Sequence, residues 1–192
     1  YIINDIKPLD VSDSIGDTQH LFNQLTYSHI PIKKDNVYIG CISETDAHCF
    51  EADKPLSDYV LTLEGFFVRK NMLWLDVLET FAQKDSNIMP VLNEKNEYLG
   101  YYELNDIISL FNQTPFFSEP GGIIIVEKGS NDFSFSEISQ IIESNNSKLL
   151  GAFISKTLNN VVQITIKIGN IGLNDIIQSL TSLKSNAVGT KE

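Results

Sequence analysis

The sequence predicts a mixed α/β (α+β) chain in which two copies of a helix–strand–turn–strand–helix unit precede a smaller domain of order βαββα. Three observations predict it. The first two-thirds repeat with an offset of 59 residues, each copy carries an apolar stripe of helical period, and the last third contains a strand of strict period-2 alternation.

The repeat aligns Phe22–Pro31 with Phe81–Pro90, and Phe, Gln, Ser and Pro coincide. In the first copy Ile15, Phe22 and Leu25 share one helical face, and Ser14-x-x-Asp17 has the form of a capping box ahead of them. In the second copy Trp74, Val77, Leu78 and Phe81 form the i, i+3, i+4, i+7 stripe. After each proline comes a strand, a polar Asn-containing turn (Lys33–Asn36 and Asn93–Asn96) and a second strand. Gly40–Asp46 then corresponds to Gly100–Asp106, opening a last helix. One such unit is too small to bury its own core, whereas two packed together can. The expected boundaries are 1–59 and 60–112 for the two copies.

Phe111–Pro115 breaks the periodicity, so 113–120 reads as a linker to a domain over 121–192. There Ile123–Val126 is a strand, and Ser134-x-x-Glu137 caps a helix carrying Ile138, Ile141 and Ile142. Leu149–Ser155 is a second strand. Val162, Ile164, Ile166 and Ile168 alternate with polar residues in a third, and Leu173, Ile176, Ile177 and Leu180 face one side of a final helix. A fourth strand is expected to be missing or reduced to Ala187–Gly189. Together with Tyr1 in place of a Met, this leads to the expectation of a piece of a longer chain, incomplete at its C-terminal end.

The bulk composition bounds the function. There are 14 Lys and Arg against 25 Asp and Glu, a net charge of −11, which disfavours nucleic acid and anionic membrane surfaces as partners. No apolar run approaches the ~20 residues that span a bilayer, and the first residues show no signal peptide. The two cysteines, Cys41 and Cys49, make no disulfide framework, and a cytoplasmic location is the simplest expectation. Both are expected to be buried small hydrophobes. His48-Cys49 with Cys41 lacks a fourth ligand at recognised spacing, so no metal is expected. Asp58 and Glu64 read as linker charges. Glycine-rich phosphate loops, nucleophile elbows and catalytic carboxylate pairs do not stand out, so no catalytic residue and no enzymatic activity are expected.

At these repeated residues the chain resembles the CBS (cystathionine-β-synthase) domain pair, or Bateman module. The pattern is hydrophobic-Pro-hydrophobic, a turn, then Gly-h-h-Ser/Thr-x-x-Asp. Copy one carries Ile30-Pro31-Ile32, Gly40, Ser43 and Asp46. Copy two carries Met89-Pro90-Val91, Gly100 and Asp106, but Glu103 stands where Ser or Thr is expected. The resemblance implies a regulatory module binding an adenosine-type ligand (AMP, ADP, ATP or S-adenosylmethionine) between the repeats. Ser43 would meet a phosphate, and Asp46 or Asp106 would meet ribose hydroxyls. Gly40, His29, Ile30, Pro31, Met89 and Pro90 would line the cleft. Plain helix capping by Ser43 and core packing by the apolar residues are the alternatives. Glu103 would repel a phosphate, so the cleft of Ser43 and Asp46 is expected to be preferred.

The βαββα order resembles an ACT domain of the ferredoxin-like fold, and CBS pair followed by ACT is similar to acetoin-utilisation-type regulators. It implies a homodimer formed partly through the sheet and an amino-acid site in the loop bearing Asn131 and Asp132. A module of degenerate repeats serving only as a structural dimerisation scaffold is the competing expectation.

Overall fold

The computed structural model describes residues 2–169, 172–182 and 186–191. The chain forms two units, Tyr1–Leu110 and Phe111–Glu192.

The first unit holds both repeats. Repeat one runs β1 (Leu9–Asp10), α1 (Ile15–Phe22), β2 (His29–Lys34), β3 (Val37–Ser43) and α2 (Glu44–Cys49), followed by a 3-10 segment, Leu56–Thr62. Repeat two runs β4 (Val68–Arg69), α3 (Trp74–Lys84), β5 (Ile88–Leu92), β6 (Tyr98–Glu103) and α4 (Leu104–Asn112). Each forms a three-stranded sheet, ordered β1-β2-β3 and β4-β5-β6, in which a two-residue parallel strand joins an antiparallel hairpin.

The local chemistry follows the sequence closely. Ser14 caps α1, its Oγ accepting from the Asp17 N–H at 3.0 Å. Asp35 and Asn36 fill the two-residue turn after Lys34 with positive φ at both positions, as a hairpin turn matching the strand twist requires. Pro31 pairs with Cys41 and Pro90 with Tyr101, each one residue from the strand partner of a glycine, so the two prolines hold equivalent places. A bulge follows in both hairpins, at Ile32/Lys33 and Val91/Leu92. Leu25 departs from expectation. Helix α1 ends at Phe22, and Leu25 packs instead with Ile6, Ile88 and Tyr101 in repeat two.

The repeats exchange their leading segments. Ile3 bridges to Tyr101 on β6, and Glu64 bridges to Cys41 on β3. The N–H groups of Ile3 and Tyr101 donate to each other's carbonyls at 2.9 Å, and those of Cys41 and Glu64 do so at 2.9 and 2.8 Å. Glycine makes this possible. Gly40 and Gly100 have φ of +149° and +147°, and a Cβ at Gly100 would lie 2.2 Å from the Ile3 carbonyl oxygen. Ile3 is thereby joined to the last strand of the second repeat, and Glu64 to the last strand of the first.

In the second unit α5 (Pro115–Ser118), with Pro115 in its first turn, occupies part of the stretch read as a linker. Phe116 of that helix lies 5.6 Å, ring to ring, from Phe153. Then come β7 (Gly121–Gly129), α6 (Phe135–Ser144), β8 (Leu149–Leu158), β9 (Val161–Gly169), α7 (Leu173–Ser182) and β10 (Asn186–Lys191). The sheet order is β10-β7-β9-β8. This is the ferredoxin-like arrangement, with βαβ crossovers and central first and third strands. Ile124, Val126, Ile164 and Ile166 pack with Ile138 and Ile142 of α6 and Ile176 and Leu180 of α7. The fourth strand, expected missing or reduced to Ala187–Gly189, spans Asn186–Lys191 and pairs with β7 from Asn186↔Glu127 to Lys191↔Ile123. Its composition gave no alternation to read, because the strand carries polar and small residues.

Candidate functional site

Each repeat brings its marked residues to the junction where the last strand runs directly into a helix. In repeat one β2 and β3 pair His29 with Ser43 and Ile32 with Gly40. Ser43, with extended backbone, caps α2, and its Oγ accepts from the Asp46 N–H at 3.1 Å. The Ser28 carbonyl accepts from the Glu44 N–H at 2.9 Å. Repeat two copies this contact: the Asn87 carbonyl accepts from the Leu104 N–H at 3.0 Å. Asp46 and Asp106 thus stand in the first turns of α2 and α4, where the helix dipole favours a carboxylate. Among the described residues nothing donates to the Asp46 side chain.

The junctions meet at a local pseudo-dyad. The Ser28 N–H donates to Asn87 Oδ1 at 2.8 Å, and the Asn87 N–H donates to Ser28 Oγ at 3.1 Å. These are the two residues that the 59-residue repeat equates, so the axis passes between them.

The remaining marked residues serve mainly as support. Ile30 and Met89 are fully buried, and Pro31 and Pro90 are buried beside them. Gly40 faces Leu63 and Glu64, so its missing Cβ accommodates the exchanged segment. His29 is buried, with Nδ1 2.8 Å from Ser28 Oγ, Nε2 3.1 Å from Glu64 Oε1 and its ring edge-on to Phe66. Glu64 is thus no idle linker charge. Cys41 is buried as expected, but Cys49 is exposed, because α2 ends there and turns that position outward. In the second unit Asn131 and Asp132 are exposed in the turn after β7. Among the described residues no His, Cys, Asp and Glu group could hold a metal ion.

The junction of repeat two contains a network that sequence reasoning missed. Tyr27 Oη donates to Glu103 Oε1 at 2.7 Å, and Tyr101 Oη donates to Asp5 Oδ1 at 2.7 Å. The two hydroxyl oxygens are 2.9 Å apart. The two tyrosines are 74 residues apart, and their partners Glu103 and Asp5 lie 76 and 96 residues from Tyr27 and Tyr101. A two-residue difference between the leading segments, Ile3 to Leu9 against Glu64 to Val68, hides the exchange from alignment.

Residues 57–112 match the family model of the CBS domain. CBS-domain pairs are also the solved structures that the chain is similar to. A CBS domain pair/ACT domain protein from Thermotoga maritima is 19% identical, with a TM-score of 0.53, 58% of this chain covered and 92% of that one. The cystathionine beta-synthase pair domain of a Shewanella oneidensis MR-1 protein is 18% identical, with a TM-score of 0.53 and coverage of 59% and 68%. The cytosolic domain of the Mg2+ channel MgtE, in complex with ATP, is 13% identical, with a TM-score of 0.50 and coverage of 57% and 46%. At these identities the likeness establishes the fold. Among curated proteins none matches the sequence. Among the described residues no helix is long and apolar enough to cross a membrane.

Two expectations follow from burial within the first unit. Burial pushes the Cys41 thiol up to about 12, while Cys49 is exposed. A thiol reagent at neutral pH should therefore modify one cysteine in the native protein and two after denaturation; two fast native thiols would contradict the packing. Burial likewise raises the phenols of Tyr38, Tyr98 and Tyr101 well above their usual value. The unfolded phenols ionise near pH ~10, so this stabilisation is intact below that pH and is lost as pH rises beyond it. An absorbance titration should show these tyrosines ionising only as far-UV circular dichroism collapses. Full ionisation at about pH 10 with the fold intact would refute the assignment.

Proposed function

We propose that the chain is a non-enzymatic, cytoplasmic regulatory module whose CBS pair senses an adenosine-type ligand and transmits its binding through a homodimer. The observation that carries this reading is the junction of Ser43 and Asp46. A carboxylate without a donor among the described residues stands one turn into a helix, beside a small neutral hydroxyl. Such a carboxylate can accept from two ribose hydroxyls, while the Ser43 hydroxyl retains its own proton to donate to a phosphate oxygen. The MgtE neighbour, solved with ATP, supports a nucleotide as the ligand class. Sensing requires that the ligand favour one of two arrangements of the pair.

Calorimetry with AMP tests it on wild type, Asp46→Ala and Asp106→Ala. Loss of the ribose bonds at Asp46 should weaken binding at least ~tenfold, about 1.4 kcal/mol, and Asp106→Ala should leave it unchanged. The opposite ranking would reverse the site, and no binding by wild type would favour a purely structural scaffold. That second reading is favoured by the burial of Ile30 and Met89 and by the capping role of Ser43.

The sheet of the second unit offers an edge for the dimer. Strand β10 covers β7, which leaves β8 as a ten-residue edge strand carrying exposed Phe153, Ile154 and Leu158. Light scattering at tens of micromolar should give twice the 21.6 kDa chain mass. A lysine at the edge, Phe153→Lys, should return the monomer mass; a monomeric wild type would contradict the proposal. The ferredoxin-like topology supports an ACT-like role for this unit, with Asn131 and Asp132 at the loop where an amino acid would bind.

A further inference from the structure

We infer that the second cleft of the CBS pair is closed from within by Tyr27, so that the module takes one ligand per chain and not two. The inference rests on the reading of the Ser43 and Asp46 cleft given above, and it concerns that cleft's symmetry mate.

The pseudo-dyad through Ser28 and Asn87 makes the comparison residue by residue. It equates Tyr27 with Ser86, Glu103 with Ser43, and Asp106 with Asp46. In the first cleft the two variable positions are therefore both serine. Ser86 folds back onto its own strand, its Oγ donating to the Ile88 carbonyl at 2.6 Å. In the second cleft the same positions carry a tyrosine and a glutamate, which bond to each other at 2.7 Å. Tyr27 is held from behind as well, edge-on to Tyr101 with ring centroids 5.4 Å apart. Tyr101 is in turn tied to Asp5 of the exchanged segment.

What remains beside this pair is a recess of about 130 Å³, lined by Thr26, Tyr27, Asn87, Glu103, Leu104 and Asn105. Pockets that take drug-sized ligands are typically about 300–1,000 Å³. The recess holds water or a small ion, but not a nucleoside. The closure is also chemical. The Tyr27 hydroxyl satisfies the Glu103 carboxylate from inside, in the place where a ligand hydroxyl or phosphate would otherwise be met. A phosphate there would displace a charge-assisted hydrogen bond and face Glu103 and Asp106 together.

The repeat itself supplies the variant that should open the cleft. Tyr27→Ser with Glu103→Ser reproduces the first cleft at both positions and keeps the bond from Tyr101 to Asp5, while giving up the packing of Tyr27 on Tyr101. Calorimetry of the full chain with AMP should give one site for wild type and two for the double variant. The second site should vanish when Asp106→Ala is added. If the double variant does not fold, as judged by circular dichroism, Tyr27→Ser alone is titrated with adenosine. Without a phosphate, adenosine meets no repulsion from Glu103, and a second site is again expected. One site in both wild type and variant overturns the closure and leaves the first-cleft reading standing. No site in wild type but one in the variant, abolished by Asp106→Ala, supports the closure and overturns the first-cleft reading. Two sites in wild type, or none in either protein, overturns the closure.

Discussion

Gly100→Ala is expected to be among the most damaging single-methyl changes in the CBS pair, at about 4 kcal/mol. Two costs add. At φ +147° an L side chain is strained, which alone costs roughly 1–3 kcal/mol. The new Cβ would also lie 2.2 Å from the Ile3 carbonyl oxygen and 2.6 Å from Ile2 Cγ2. The first of these is backbone in a paired segment, so the segment must leave β6 and give up its two hydrogen bonds to Tyr101. Gly40 provides the internal control. Its φ is nearly the same, but the nearest atom to a Cβ there is Leu63 Cβ at 2.9 Å, with the Glu64 carbonyl oxygen at 3.2 Å. Leu63 must still shift, but by far less than the Ile3 backbone at Gly100, and about 2 kcal/mol is expected. Thermal melts should therefore rank Gly100→Ala well below Gly40→Ala, with the former down by roughly 20 °C. Equal midpoints would show that the exchanged segment contributes little.

Phe22→Ala and Phe81→Ala are expected to lower the same unfolding transition, each by about 3–5 kcal/mol through loss of a buried ring and the cavity left behind. Phe22 is 2% exposed in repeat one and Phe81 is 3% exposed in repeat two. In a pair of independent repeats, each change would melt only its own half. The exchanged segments argue otherwise, because the last strand of each repeat is bridged to the segment that leads the other, Tyr101 to Ile3 and Cys41 to Glu64. The core of repeat two also includes Tyr38 and Cys41 from repeat one. Trp74, the chain's one tryptophan, stands in α3 of repeat two. Denaturant titrations followed by its fluorescence should show Phe22→Ala shifting the midpoint about as far as Phe81→Ala does. An unshifted Trp74 signal in Phe22→Ala would show that the repeats unfold separately.

The elements legible in the sequence were those whose signal is local. Ser14 and Ser134 both cap the helices they precede, Asp35 and Asn36 make the turn their conformations allow, and the alternation over Val162–Ile168 became a half-buried strand. The 59-residue offset located both helix junctions, because Gly, Pro and Asp are each required there by backbone geometry or charge. Partners far along the chain were not legible. The bridging segments at Ile3 and Glu64 are too short to show periodicity, and β1 and β4 hold two residues each. Glu103 was legible only as a departure from the Ser or Thr of the repeated pattern, and its partner Tyr27 carried no signal until the fold placed their oxygens 2.7 Å apart. Burial was likewise hidden at Cys49, since one residue at the end of a short helix is turned in or out by where that helix stops.

The exchange of leading segments bears on how the protein is made. Synthesis releases the chain from its N-terminus at roughly 5–20 residues per second. Repeat one cannot close its hairpin edge at Cys41 until Glu64 has left the ribosome, and Ile3 has no strand to join until Tyr101 follows. For roughly 5–20 seconds at that rate Ile3 therefore waits without the strand it bridges in the native fold. During that interval a neighbouring nascent copy could offer the same edge, and translation speed across residues 64–101 becomes a determinant of how much chain reaches the native pair.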